Sequence, residues 1–517
     1  MTEQLASMPS VEAPSENADG VSRRGILSSP LKAAFIALGG AALAACDFTS
    51  SPYDRNVHLL RRLTFGPSSP ELARIRAMGE SAWLAEQLNP ATINTSAIDA
   101  KIAGLTSLAM SYSEMAVAYP TTAPNPGWQL QFASVIRSVE SPAQLFERMV
   151  EFWNDHFNIY FEDRRHQFYK IVEDREVIRR YALGKFSDLL VASAQSPAML
   201  LYLDNYISNV GAINENYSRE VLELHTVGVE GGYTEQDVIS LARLLTGWGI
   251  TGATGQFTFR IARHDTAPLT IMGWTRPSDT NYMSHGVQFL QWLAMRPETA
   301  RNVCTKIARR FVADKPEPAL INAMAEAWAL NGSAIIPVLR AMVGHPSFAA
   351  SAGKKYRRPS DFLAFVMRAA RSTVAVPAAS SDLNLFNNLY GSLNQIPFLW
   401  DAPNGYPDDE ISWLSAGGDL ARWNLAGGIL LHTIPQFTIP SGVTDAMRAA
   451  CAGRSAPEIY DVISMAVMQE NTTDVGKRLL NKQLGWSDTS RPTSNQIAMA
   501  ISTIMLGVIC SVDGNYR

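Results

Sequence analysis

Four ionisable side chains lie on segments that otherwise bury apolar surface: His156, Glu220, His225 and His264. Imidazole and carboxylate are the donor types that suit Zn, Fe, Mn or Cu, and two or three histidines with one carboxylate make an open catalytic site. In that reading all four are metal ligands and the cofactor is a transition metal of unknown identity. His156, Glu220 and His225 are also the catalytic candidates, with either histidine as ligand or general base and Glu220 orienting it. No local signature names the metal, since the chain holds neither His-Glu-x-x-His nor Glu-x-x-His. A competing reading uses the same side chains as a polar bracket between helices. In either case burial demands partners, because an isolated buried charge is too costly. A nucleophile elbow, a phosphate-cradling glycine loop and a dinucleotide fingerprint are all missing from the sequence.

The elements that must position these groups are almost all helical. Phe146, Met149, Val150, Trp153, His156 and Phe157 recur at three- and four-residue steps behind Ser141-Pro142, which reads as a helix start. Within a helix over 214–227, Tyr217, Val221, Leu222 and Leu224 form an apolar arc. Glu220 and His225 fall at its edges, and Arg219 with Glu223 has the spacing of a helix-stabilising pair. Thr234 followed by Asp237 predicts a capping box. His264-Asp265 falls on a turn between expected strands at 257–260 and 269–272. The predicted fold class is all-α, a large helical bundle-like domain with one small β-hairpin. A formal charge of −4 gives no electrostatic footprint for nucleic acid. Cys304, Cys451 and Cys510 are widely separated and odd in number, which predicts free thiols.

The front of the chain addresses its destination. Arg23-Arg24 precede an uncharged apolar run over 33–45 that ends in Leu43-Ala44-Ala45-Cys46. A positive segment followed by an apolar one is an export signal. The paired arginines resemble a twin-arginine signal, and the ending resembles a lipobox in which Cys46 becomes the lipidated first residue. Residues 1–46 are thus expected to be the signal and 47–53 a tether. The protein is expected in the cell envelope, on the periplasmic side, held to the membrane by its lipid.

Beyond the tether, several motifs occur in order. They include Phe152-Trp153-Asn154-Asp155-His156-Phe157, the block at 196–205, the long block at 214–228 through Ser218-Arg219-Glu220 and His225, Leu245-Thr246-Gly247-Trp248, His264-Asp265, the block at 354–359 and Pro403-Asn404-Gly405-Tyr406-Pro407. Together they resemble the bacterial family called domain of unknown function 1800, over roughly 54–435. Residues 436–517 then form a helical extension packed on that domain. One departure is Asn154, where the family pattern is expected to carry a second histidine. The resemblance implies export, an uncharacterised activity, and association with a second exported family, domain of unknown function 1501. Two functions follow as expectations: an anchored envelope enzyme with a helix-lined His/Glu site, or a non-catalytic lipoprotein that assembles with that partner.

Overall fold

The computed structural model describes residues 53–376 and 389–517, apart from positions 162, 253 and 435. Arg23, Arg24, Cys46 and residues 47–52 of the tether lie outside the described residues. Those described fall within one compact unit, Thr49–Arg517.

Helix α1 (Arg55–Leu63) is started by Asp54, whose carboxylate accepts from the Asn56 and Val57 amides at 2.8 and 3.2 Å. Helices α2 (Gly127–Glu140) and α3 (Gln144–His156) follow. The helix starts two residues later than Ser141 as cap and Pro142 as first helical residue predict. Ser141 instead ends α2, donating its amide to the Arg137 carbonyl. The Gln144 side chain then caps α2 by donating to the Ser138 and Ser141 carbonyls. Leu145, Met149, Phe152 and Trp153 form the buried stripe of α3, and the Trp153 indole donates to the Ala182 carbonyl at 2.9 Å.

Two helices widen into π turns beside the predicted residues. Helix α4 (Arg164–Glu173) runs into a π turn at Asp174–Ile178. After α5 (Pro197–Tyr202), α6 (Asn216–Glu220) runs into a π turn at Val221–His225. The next helix, α7 (Glu235–Leu244), has the predicted capping box, with Thr234 and Asp237 bonding each other's amides.

The β structure is small and paired differently from expectation. Strand β1 (Trp248–Ile250) pairs antiparallel with β2 (Phe257–Phe259), and β3 (Thr270–Ile271) pairs with β4 (Trp274–Thr275). The expected pairing of 257–260 with 269–272 does not form. A tight turn closes first, with the Thr251 amide on the Gln256 carbonyl at 2.8 Å and Gly255 at φ +66°. The chain then folds His264-Asp265 back onto Thr246, which takes it off any straight path to residue 269. A third pair joins β5 (Thr373–Val374) to β6 (Phe437–Thr438).

Helices α8 (Pro297–Phe311), α9 (Pro359–Ala369), α10 (Ala416–Leu430) and α11 (Ser494–Ile509) complete the frame, with α10 packed between α9 and α11. The fold is mostly helical, as its apolar periodicity predicts. Among the described residues no helix is long and apolar enough to cross a membrane. The three cysteines among the described residues are free, Cys304 and Cys451 buried and Cys510 half-buried.

Candidate functional site

Helix α3 and the π turn at Val221–His225 bring two of the predicted residues together. His156 and His225 are buried, with ring centroids 5.9 Å apart. His156 Nε2 lies 3.1 Å from the His225 carbonyl oxygen, as its donor. Phe157 packs against both rings, and Phe152, Trp153 and Phe186 close around His156. Burial, then the nearby Lys306 ammonium, holds His225 down to about 3 and His156 well below its ordinary range. Both rings are therefore neutral at physiological pH. The Lys306 amine donates to the Leu224 carbonyl at 2.6 Å, and burial lowers it to about 8. That bond caps one carbonyl freed where the π turn ends.

Glu220 makes no contact with this pair among the described residues. It is half-buried and, among the described residues, makes neither a hydrogen bond nor an ion pair. The same holds for Glu223 on the next turn. Burial and then the Glu223 charge push the Glu220 carboxyl up. Two phenols stand within electrostatic reach of Glu220. Tyr202 donates to the Asp401 carbonyl at 2.6 Å and is raised to about 12 by burial, Asp401 and Glu220. Tyr233 is also raised, by burial and then Glu223. The expected Arg219–Glu223 pair does not form. Arg219 reaches Glu235 at 2.9 Å and Glu215 at 3.4 Å. The π turn begins at Val221 and rotates Glu223 out of the i, i+4 position an α-helix would give it.

His264 belongs to a separate network. Its Nδ1 lies 2.7 Å from the Thr246 carbonyl, and the Arg276 guanidinium lies 3.3 Å from Nε2. Asp265 is held by Arg243 at 2.7 Å. Among the described residues no three His, Cys, Asp or Glu side chains are grouped to hold a metal ion. The shared metal centre expected of His156, Glu220, His225 and His264 is therefore not what the fold builds. His264 is spent on Thr246, and the Glu220 charge is felt by Tyr202 and Tyr233.

The other flank of α3 carries a polar cleft that was not anticipated from sequence. It encloses about 100 Å³ and is lined by Glu147, Glu151, Asp155, Arg179, Arg358 and Tyr406, among others. Its carboxylates are clamped. Arg179 takes both oxygens of Glu147 at 2.8 and 2.9 Å, and Arg358 spans Glu151 and Asp155 at 2.5 and 2.6 Å. Asn154, at the position of the missing histidine, donates to Asp174 on the first π turn at 3.0 Å. It thus serves the cleft wall, on the side of α3 away from His225. Glu147, Glu151 and Asp155 recur at four-residue steps, which is the signal that marks this face.

No curated protein and no solved structure matches the chain. The family model described as protein of unknown function (DUF1800) matches residues 58–509, and the chain belongs to that family.

Proposed function

We propose that the protein is an exported, lipid-anchored enzyme on the periplasmic side of the cell envelope, working by proton transfer at Glu220. The observation that carries this reading is the contrast among carboxyls. Glu147, Glu151 and Asp155 are locked by guanidinium groups. Glu220 is half-buried, unpaired, beside Glu223 and two phenols. Burial and the Glu223 charge raise the Glu220 carboxyl, which is the direction that suits a general acid. His225 closes the π turn that starts at the next residue and is assigned a positioning role, with His156 bracing it. Local π turns recur at functional sites because they present side chains that an α-helix would bury or misalign.

The test is turnover of glycoside, ester and phosphoester panels by the mature protein from its own host, beside Glu220→Gln. The expected result is activity in the parent that falls at least about a hundredfold in the variant, with an unchanged thermal midpoint. Activity retained in Glu220→Gln, or no turnover on any panel, sinks the assignment.

A further inference from the structure

The interior near α9 holds more guanidinium than carboxylate. Arg148, Arg310, Arg358 and Arg517 are all at most 2% exposed and share Glu151, Asp155, Asp361 and Asp408 as ion-pair partners. Lys355 joins them through Asp314 and Asp408. These groups account for one another. Arg62 on α1 and Arg357 just ahead of α9 are left over. Arg62 is 0% and Arg357 1% exposed, and neither has an ion-pair partner among the described residues.

Among the described residues each guanidinium makes one hydrogen bond to the chain. Arg62 donates to the Ser351 carbonyl, and Arg357 Nε donates to the Gly514 carbonyl at 3.1 Å. Arg62 Nε and Nη1 and both Nη atoms of Arg357 are buried without an acceptor. The face of the Arg357 guanidinium lies over Phe365 at 4.1 Å, which leaves its edge as the donor. The two arginines share one neighbourhood. Both are repelled by Arg517 and Arg61, and Arg357 also by Arg62. The carboxylates whose charge reaches them are Asp314 for Arg62 and Asp361 for Arg357, and both are already committed, to Lys355 and to Arg148 with Arg517.

An amine or imidazole in this position would shed its proton, but a guanidinium keeps its charge at every pH a protein survives. An unpaired buried cation costs several kcal/mol, and two side by side add their repulsion. We infer that a small oxyanion of the phosphate or sulfate type is held inside the fold, on the edges of Arg62 and Arg357. Four orphaned N–H-bearing nitrogens match the acceptor oxygens of such an ion, and the fork of Arg357 suits bidentate contact. This site is separate from Glu220 and does not depend on the catalytic assignment.

The experiment uses the full mature chain, exchanged exhaustively into chloride buffer and then denatured, with released ions identified by chromatography. About one phosphate or sulfate per chain is expected, and the chromatogram distinguishes the two. In parallel, the thermal midpoint of the folded protein is followed in phosphate, sulfate and chloride at matched ionic strength. An ion bound weakly enough to be lost in exchange raises the midpoint in the matching salt alone. Arg357→Met keeps the length of the side chain without its charge, and the released or stabilising ion should fall about tenfold or more. No released oxyanion together with equal midpoints in all three salts overturns the proposal, and so does release unchanged in Arg357→Met. If that variant does not fold, the two measurements on the parent decide alone.

Discussion

His225 carries a pH dependence whose sign can be worked out. Its folded value near 3 lies below the ordinary 6.5, so the unfolded chain binds the proton first as pH falls. The stability from keeping the ring neutral is complete above pH 6.5 and is lost on acidification toward 3. Each such histidine contributes a slope of about 1 kcal/mol per pH unit in that window. His225→Phe, in a pocket already lined by Phe157 and His156, should fold and show a shallower fall in thermal midpoint between pH 7 and 4.5. An identical fall in both proteins would remove His225 from the account. Glu220 has the opposite sign, since a raised carboxyl is penalised in its charged form. Glu220→Gln should therefore match or slightly exceed the parent midpoint at pH 7, and lose that advantage at pH 4. These residue types and their inward placement were legible from apolar spacing. Which of them meet was not, because the partners come from segments dozens of residues apart.

At the scale of elements, the sequence pattern located helices well and local irregularities poorly. The capping box at Thr234 and the helix at Ser494–Ile509 follow from local chemistry alone. A π turn has almost no sequence signature, so Glu223 was placed one facet away from its true position. The segment Pro403-Asn404-Gly405-Tyr406-Pro407 is legible as a motif without its purpose. Gly405 has φ +70°, and a Cβ there would lie 2.1 Å from the Asp155 carbonyl oxygen. This glycine lets the loop press against the end of α3, beside the cleft that Tyr406 lines. Gly405→Ala should cost about 2–4 kcal/mol through strain and clash, read as a lowered denaturant midpoint. A midpoint within experimental error of the parent would refute that packing role.

For the whole molecule, the proposed export signal and the core lie in different parts of the chain. Changing Arg23 and Arg24 together to Lys should leave precursor in the cytoplasm, because a guanidinium pair is not mimicked by ammonium. Fractionation that finds this variant exported normally would end the twin-arginine assignment, and Cys46→Ser remaining with membranes would end the lipid anchor. The family match continues to residue 509, past the point near 435 where recognisable motifs thin out. The buried ion cluster was the least legible feature, since Arg148, Arg310, Asp361 and Arg517 share no local pattern. Asp361→Asn should destabilise by about 3–5 kcal/mol by stranding Arg517 and leaving Arg148 with Glu151 alone, measured by chemical denaturation. A variant as stable as the parent would mean that the pairs contribute nothing net. Arg517 also imposes an order in time. Asp361 leaves the ribosome long before the arginine that completes its ion pairs, and at ordinary elongation rates the gap is on the order of ten seconds or more. Until residue 517 is made, Asp361 can pair with Arg148 alone, so the last contacts of the cluster form after the helices that carry it have been synthesised.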